Sequence, residues 1–501
     1  DATWLAIGAS IFASNIGSEH LIGLAGAGAS SGMAMAHWEI QGWMILILGW
    51  VFVPFYTRSM VYTMPEFLER RYNPQSRTIL SVISLVSYVL TKVAVTVYAG
   101  GLVFQQVFGI KELWGIDFFW IAAIGLVVLT ALYTIFGGMK SVLYTSVLQT
   151  PILLLGSLII LVLGFKELGG WDEMMRVCGA VTVNDYGDTM TNLIRSNDDA
   201  NFPWLGALIG SAIIGFWYWC TDQFIVQRVL SGKNEMEARR GTIFGAYLKL
   251  LPVFLFLIPG MIAFALHQKY IGAGGEGFLP MLANGTANAD AAFPTLVAKL
   301  LPAGVKGLVV CGILAALMSS LASLFNSSAM LFTIDFYKRF RPETPEKKLV
   351  GIGQIATVVI VILGILWIPI MRSVGDVLYT YLQDVQSVLA PGIAAAFLLG
   401  ICWKRTSAQG GMWGLIAGMV IGLTRLGAKV YYSNAGEVAD STFKYLFYDM
   451  NWLFFCGWMF LFCIIVVIVV SLATKAPTAE KIQGLVFGTA TKEQKAATRA
   501  S

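Results

Sequence analysis

A few polar side chains lie deep in stretches of the sequence that are otherwise apolar, namely His20, Glu39, Lys249 and Gln383. A polar group in such a place is costly unless it has a partner or faces a cavity. Lys249 stands midway along FGAYLKLLPVFLFLIPG, too far from either end to reach water easily, so it requires an acceptor, and Glu39 is the nearest candidate. With Asn15, these groups offer alternating donors and acceptors that suit a neutral substrate with several hydroxyl groups. The alternative is that they only bond helices to one another.

A second group of oxygen-bearing side chains lies in ALMSSLASLFNSS and comprises Ser319, Ser320, Ser323, Asn326, Ser327 and Ser328. Serine is common between packed membrane helices, and packing alone is one interpretation of the cluster. A hard monovalent cation, however, requires oxygen ligands and little else. Hydroxyl groups that faced exposed backbone carbonyls around Ala13 and Ile16 would form a sodium site without any carboxylate.

A further set of bulky side chains could cover a substrate from either side: Leu24, Trp38, Tyr218, Trp219 and Tyr379. Aromatic residues more often belong to the core or to the membrane interface. Tyr218 and Trp219, however, adjoin the polar residues Thr221 and Asp222, which favours a role beside the substrate for these two rings.

The composition shows that membrane helices must position these residues. The chain has 501 residues, of which 57% are hydrophobic and 13% charged, and a mean hydropathy of +0.72. Soluble domains carry about 25% charged residues. A soluble enzyme, a disordered chain and a nucleic-acid binder are therefore excluded, and the net charge of +5 does not indicate nucleic acid. The six cysteines show no metal-ligand spacing, and His20, His37 and Glu39 match no zinc motif, so we expect no enzyme activity and no cofactor.

Apolar runs between charged or Gly/Pro-rich breaks predict twelve spans, at about 4–29, 36–57, 78–107, 116–137, 141–165, 204–227, 240–266, 305–336, 348–371, 376–402, 411–431 and 450–473. Lys and Arg are concentrated in alternate loops, which makes those loops cytoplasmic by the positive-inside rule. The sequence therefore predicts a multi-pass protein of a plasma or bacterial inner membrane, with the lipid bilayer as its surroundings and no obligatory protein partner.

Two of the spans are interrupted by polar residues, and they stand five spans apart. The first interruption contains Asn15, Gly17, Ser18, Glu19 and His20, and the second contains Gly215, Thr221, Asp222 and Gln223. Unwound backbone in a bilayer is tolerated only where it lines a site, so matching breaks indicate an inverted-repeat transporter. Ordinary interfacial polar residues are the alternative. We predict a first repeat at 1–165, an extracellular loop at 166–203, a second repeat at 204–403, two additional spans at 404–473 and a cytoplasmic tail at 474–501.

Several motifs resemble the sodium/solute symporter family in its sodium/glucose cotransporter branch: FASNIGSEHLIGLAGAGASSG, YTMPEFLERRYN, GGMKSVLYTSVLQT, WYWCTDQFIVQR, YLKLLPVFLFLIPGMI, LAALMSSLASLFNSS and FLLGICWKR. The resemblance covers almost the whole chain. It implies an all-α, five-plus-five inverted-repeat fold with two broken helices and extra C-terminal spans, in which sodium moves inward with a sugar or polyol by alternating access. Family members usually have one further span before the first one here and often one after the last, so we expect a trimmed chain.

The resemblance also implies roles for individual residues. The substrate-binding residues fall on Asn15, His20, Glu39, Tyr218, Trp219, Lys249 and Gln383. The gates fall on Leu24, Trp38 and Tyr379 on the outer side and on Tyr218 on the inner side. The sodium ligands fall on the carbonyls of Ala13, Ile16 and Ala316 and on the hydroxyls of Ser319 and Ser320.

Two positions depart from the family pattern. Ser146 stands in YTSVLQT where two-sodium members carry an aspartate, which favours one sodium ion per sugar. Gly215 stands where sugar carriers often have a small polar side chain, which leaves the identity of the sugar open, and the SNIGSEH motif also occurs in inositol carriers.

Other functions remain open at this point. A symporter of the same fold for a carboxylate or an amino acid would need a cation or a free helix N-terminus in the site. Glu39 argues against this, although pairing with Lys249 would neutralise it. A sugar sensor or a passive channel without coupling is the alternative of a different class.

Overall fold

The computed structural model describes residues 3–17, 19–40, 42–59, 63–282, 284–374, 377–435 and 439–490. It is built from helices: α1 Trp4–Asn15, α2 Ala25–Ser31, α3 Ala36–Ile40, α4 Gly42–Ile47, α5 Val53–Ser59, α6 Met64–Arg71, α7 Pro74–Ser87, α8 Ala94–Phe108, α9 Phe118–Leu168, α10 Trp171–Gly179, α11 Trp204–Gly215, α12 Gln223–Leu230, α13 Glu235–Leu248, α14 Ile258–Gly272, α15 Ala292–Leu300, α16 Ala303–Met330, α17 Lys338–Phe340, α18 Glu346–Val374, α19 Leu378–Cys402, α20 Ala408–Asn434, α21 Thr442–Lys444, α22 Trp452–Ala473 and α23 Ala479–Ile482.

Short segments of other geometry connect or extend these helices. The π-helical segments are Glu19–Leu24, Leu48–Phe52, Tyr88–Val93, Phe216–Thr221, Val253–Leu257, Leu331–Tyr337 and Tyr445–Asp449, and the 3₁₀ turns are Gly32–Met35 and Ala289–Ala291. Strands β1, Glu112–Leu113, and β2, Ile116–Asp117, form an antiparallel hairpin in which Glu112 pairs with Asp117.

Ten helical segments in the described part of the chain are long and apolar enough to cross a membrane, which makes this a multi-pass membrane protein. Two features differ from the twelve spans predicted from the sequence. Glu19–Ser59 is a single candidate membrane segment, whereas the sequence predicted separate spans at 4–29 and 36–57. The expected spans at 116–137 and 141–165 lie in a single helix, α9. The glycine pair Gly137 and Gly138 lowers helix propensity by about 1 kcal/mol per residue, but with apolar residues on either side this does not end the helix.

Both predicted helix breaks are present. Helix α1 ends at Asn15, and Ile16 is extended, with φ −82° and ψ 93°. In the second half, the π-helical segment Phe216–Thr221 ends at Asp222, which is extended with φ −75° and ψ 127°. The Asp222 carboxylate accepts a hydrogen bond of 3.1 Å from the amide of Phe224 and so caps α12. The breaks put polar backbone and side-chain groups inside the bundle.

Helix α19 lies among α11, α20, α22 and the π-helical segments of both breaks, and it carries Tyr379 and Gln383. Its C-terminal end is held by the fully buried Arg71, whose guanidinium group donates to the carbonyls of Gly400 at 2.7 Å and Thr406 at 3.0 Å. Since a cation stabilises the C-terminal carbonyls of a helix, this end of α19 is fixed in place.

Helices α2 and α14 approach closely through glycine. A Cβ atom on Gly260 would overlap the carbonyl oxygen of Ala25, and one on Gly28 would overlap that of Leu257.

We expect Gly260→Ala to destabilise the protein by about 1–3 kcal/mol, because the two backbones must separate. Thermal unfolding in detergent measures this against Gly427→Ala, where no atom lies within 4 Å of the new Cβ. Equal melting of the two variants would show that the contact is not tight.

Candidate functional site

Lys249 is the centre of the polar groups that the sequence singled out. It directly follows α13, and its side chain is buried. Its Nζ donates a hydrogen bond to Asn15 Oδ1 and lies 2.7 Å from His20 Nε2 and 2.7 Å from Glu39 Oε2. Glu39 has no exposed surface. The acceptor that Lys249 requires is therefore Glu39, joined by two further groups from the first break.

The charge of Lys249 is compensated inside the protein. An ammonium group has three N–H donors and no acceptor. Here it forms hydrogen bonds with Asn15 and His20 and an ion pair with Glu39, whose Oε2 has no hydrogen bond from a described residue. His20 Nε2 also lies 3.3 Å from Glu39 Oε1, and His20 Nδ1 is buried without a hydrogen-bond partner among the described residues. Lys249 is thus already paired within the protein, whereas His20 retains an unused ring nitrogen.

The same network reaches the two predicted gate tyrosines. Asn15 Nδ2 donates to Tyr218 OH at 3.0 Å, and Tyr379 OH donates to Glu39 Oε1 at 3.1 Å. Lys249 Nζ also lies 5.7 Å from the centre of the Trp219 ring. Side chains from the first break, the second span, the second break, the end of α13 and α19 are therefore in mutual contact, although they are up to 340 residues apart in sequence.

A small cavity adjoins this network. It is lined by Asn15, Glu19, His20, Trp38, Ile214, Gly215, Tyr218, Trp219, Lys249, Tyr379, Gln383 and Gln386. Two of the predicted residues do not line it: Glu39 is linked to it through Lys249 and Tyr379, and Leu24 is buried beside Gly23.

Two polar side chains of the cavity lining were not among the candidate site residues drawn from the sequence, namely those of Glu19 and Gln386. Both could have been found. Glu19 belongs to the first break and precedes His20, and Gln386 follows Gln383 by three residues, which places it on the same face of α19. The amide oxygen of Gln383 is buried without a hydrogen-bond partner in the described part of the protein. The cavity lining therefore includes an unpaired acceptor.

One predicted sodium ligand, Ser320 on α16, lies against the first break. The hydroxyl of Ser320 faces the break so closely that a Cβ on Gly17 would lie 2.8 Å from it. Within the described residues, no backbone amide donates to the carbonyl of Ile16. Ala316 and Ser319 lie on the same helix, and Ala13 belongs to α1. The side chain of Ser146 lies outside the described residues, so the expectation of a single sodium ion is not tested.

The buried carboxylate of Asp290 forms hydrogen bonds with the N-terminal end of α19. Both of its carboxylate oxygens accept from the amide of Leu378, at 3.2 Å each. We expect Asp290→Ala to destabilise the protein by about 1.5–3 kcal/mol, since a hydrogen bond to a charged group is lost at a helix N-terminus. The apparent KM of the transported solute should also rise, because Tyr379 adjoins Leu378.

Thermal unfolding and uptake kinetics would measure both effects of this substitution. Asp440→Ala is the control, because the Asp440 side chain is 95% exposed and pairs only at the surface with Lys444. If the two variants behaved alike, Asp290 would have no part in positioning α19.

Comparison with known proteins gives concordant results. A family model described as the sodium:solute symporter family matches residues 1–418. Human sodium/myo-inositol cotransporter 2 is 36% identical over 502 residues, covering 98% of this chain and 73% of that protein. Sheep sodium/glucose cotransporter 1 is 39% identical over 490 residues, covering 94% of this chain and 73% of that protein.

Solved structures show the same architecture at lower identity. A sodium-coupled sialic acid symporter in a substrate-bound outward-open state aligns with a TM-score of 0.69 and 20% identity, covering 95% of this chain and 91% of that one. A nucleobase-cation-symport-1 family transporter in a closed conformation aligns with a TM-score of 0.52 and 14% identity, covering 97% and 96%. The transporter fold with two broken helices, predicted from the sequence, is confirmed. The boundaries assigned to the two repeats stay a prediction.

Proposed function

The chain belongs to the sodium:solute symporter family, and from this premise we propose that it couples the inward movement of sodium to that of a neutral sugar or polyol by alternating access. The curated relatives that carry sodium/myo-inositol and sodium/glucose cotransporter names support this class of substrate. The proposal excludes no particular hexose or inositol.

The observation that carries the proposal is that the charge of Lys249 is already compensated inside the protein. A carboxylate or amino-acid substrate requires a cation that is free to pair with it, whereas Lys249 has an ion pair with Glu39 and hydrogen bonds with Asn15 and His20. Polar groups of the cavity lining without a hydrogen-bond partner among the described residues include the Gln383 oxygen and His20 Nδ1. A hydroxyl group both donates and accepts, so a polyhydroxylated neutral solute matches what the cavity offers.

Sodium is proposed to act at the junction of the first break and α16. The Ile16 carbonyl and the Ser320 hydroxyl supply oxygen atoms of the kind that a hard monovalent cation requires. An ion held there would fix the break that carries Asn15 and His20, and so would complete the substrate site. Binding of the two solutes is then cooperative, and the coupling is reciprocal in free energy.

The gates complete the proposed cycle. Tyr379 and Trp38 would close the outer side once substrate is bound, and a shift of Tyr218 away from Asn15 would open the inner side. With one sodium ion moved per cycle, the membrane potential contributes about 2.3 kcal/mol per 100 mV.

The test is transport by the purified protein in liposomes. An inward sodium gradient is imposed, uptake of labelled glucose, galactose and myo-inositol is followed, and potassium replaces sodium in the control. Accumulation above equilibrium that requires sodium supports the symporter. Uptake that only equilibrates, or that ignores sodium, would favour the channel or sensor alternative.

A further inference from the structure

We propose that Glu19 determines substrate specificity by accepting hydrogen bonds from two adjacent hydroxyl groups of a neutral cyclic polyol. This inference rests on the proposed function and narrows its substrate class. Glu19 opens the π-helical segment that follows the first break, and it is one of the residues that line the cavity.

Several polar side chains around the cavity are bonded within the protein, and the carboxylate of Glu19 is not. Asn15, Glu39 and Lys249 are bonded to one another or to the tyrosines. The Glu19 carboxylate, in contrast, has no hydrogen bond and no ion pair with any residue that the structure describes. Its side chain is partly accessible, as expected of a group that lines a cavity. The carboxylate is therefore available to a ligand.

The charge of the Glu19 carboxylate favours a neutral ligand over an anionic one. Glu39 is compensated by Lys249, whereas no cation within ion-pair distance compensates Glu19 among the described residues. An anionic solute would be repelled by this uncompensated charge. An ionised carboxylate is an acceptor with two oxygens, and two hydroxyl groups on neighbouring ring carbons supply the two donors that it requires.

The proposed contact between Glu19 and the polyol would lie between the inner and the outer gate residues. Glu19 lines the same cavity as Tyr218 and Tyr379, the residues predicted to close the inner and the outer side. His20 and Gln383 line this cavity too, so their unpaired Nδ1 and amide oxygen are available to further hydroxyl groups of a polyol bound to Glu19. A solute with hydroxyl groups all around a ring, such as an inositol, satisfies more of these groups than one with an apolar edge.

Glu19 could instead stabilise only the N-terminal end of its own helical segment, as acidic residues do in a first turn. The two roles differ in a measurable way. A structural role would weaken the binding of every substrate equally. A specificity role acts only on substrates that carry the contacted hydroxyl groups.

The experiment uses the full chain in liposomes and compares wild type with Glu19→Gln and Glu19→Ala. Sodium-driven uptake is measured for myo-inositol and for each of its monodeoxy analogues, and binding in detergent is measured in parallel. Glu343→Gln, at an exposed loop position, is the control. We expect the KM for myo-inositol to rise at least tenfold in Glu19→Ala and less in Glu19→Gln, with an unchanged maximal rate. The rise in KM caused by Glu19→Ala should be clearly smaller for the deoxy analogues that lack a contacted hydroxyl group than for myo-inositol.

The possible failures are distinguishable. An equal rise in KM for every analogue, or no change for any, would overturn the role of Glu19 while the transport by wild type stands. Absence of sodium-dependent accumulation by wild type would overturn the proposed function itself, and this inference with it.

Discussion

Replacement of Lys249 by methionine is expected to abolish sodium-dependent accumulation and to destabilise the protein by about 3–5 kcal/mol. Methionine keeps most of the side-chain volume, so the effect comes from charge. Without the ammonium group, Glu39 is a fully buried carboxylate whose cation is missing, and Asn15 and His20 lose the donor that joins them. The cost of an uncompensated buried charge is larger than that of a lost hydrogen bond.

The double variant Lys249→Met, Glu39→Gln separates stability from transport. A neutral amide needs no cation, so most of the lost stability should return, whereas accumulation should not, because the first break is no longer held to α13. Thermal unfolding in detergent and uptake in liposomes measure the two properties on the same preparations. Recovery of transport in the double variant would show that the ion pair is a structural element without a part in substrate binding.

Much of this site could be predicted because membrane burial makes polar residues informative. A polar side chain in an apolar span requires a partner, and this reasoning alone linked Lys249 to Glu39. The interruptions around Asn15 and Asp222 were equally informative, because unwound backbone within a bilayer must line a site. Both helix breaks lie at the positions predicted from the sequence.

What the sequence could not supply is the count of hydrogen bonds at each group. Residue types indicate that Lys249 and Glu19 belong to the same site, but they do not show that Lys249 has three partners inside the protein and that the Glu19 carboxylate has none among the described residues. That distinction depends on which atoms meet in three dimensions. The sequence also did not show that α9 is continuous. A glycine pair lowers helix propensity, but propensity alone does not decide whether the helix ends there or continues through the apolar residues on either side.

The replacement Gly17→Ala is expected to raise the sodium concentration for half-maximal uptake at least tenfold. The new Cβ would lie 2.8 Å from Ser320 Oγ, closer than such atoms approach, so the hydroxyl must turn away from the break or α16 must move. Either change separates the hydroxyl from the Ile16 carbonyl, with which it is proposed to bind the same ion. The residues that line the cavity are not altered by this substitution, so saturating sodium should restore most of the maximal rate.

Gly125→Ala is the matched control, because no atom lies within 4 Å of its new Cβ. Sodium-dependence curves for the two variants, taken with and without a saturating polyol, measure the coupling directly. Because coupling is reciprocal, the factor by which polyol raises sodium affinity must equal the factor by which sodium raises polyol affinity. If Gly17→Ala lowers both factors together, the contact between the break and α16 links the two sites. An unchanged sodium dependence would remove Ser320 from the proposed ligands and place the ion elsewhere.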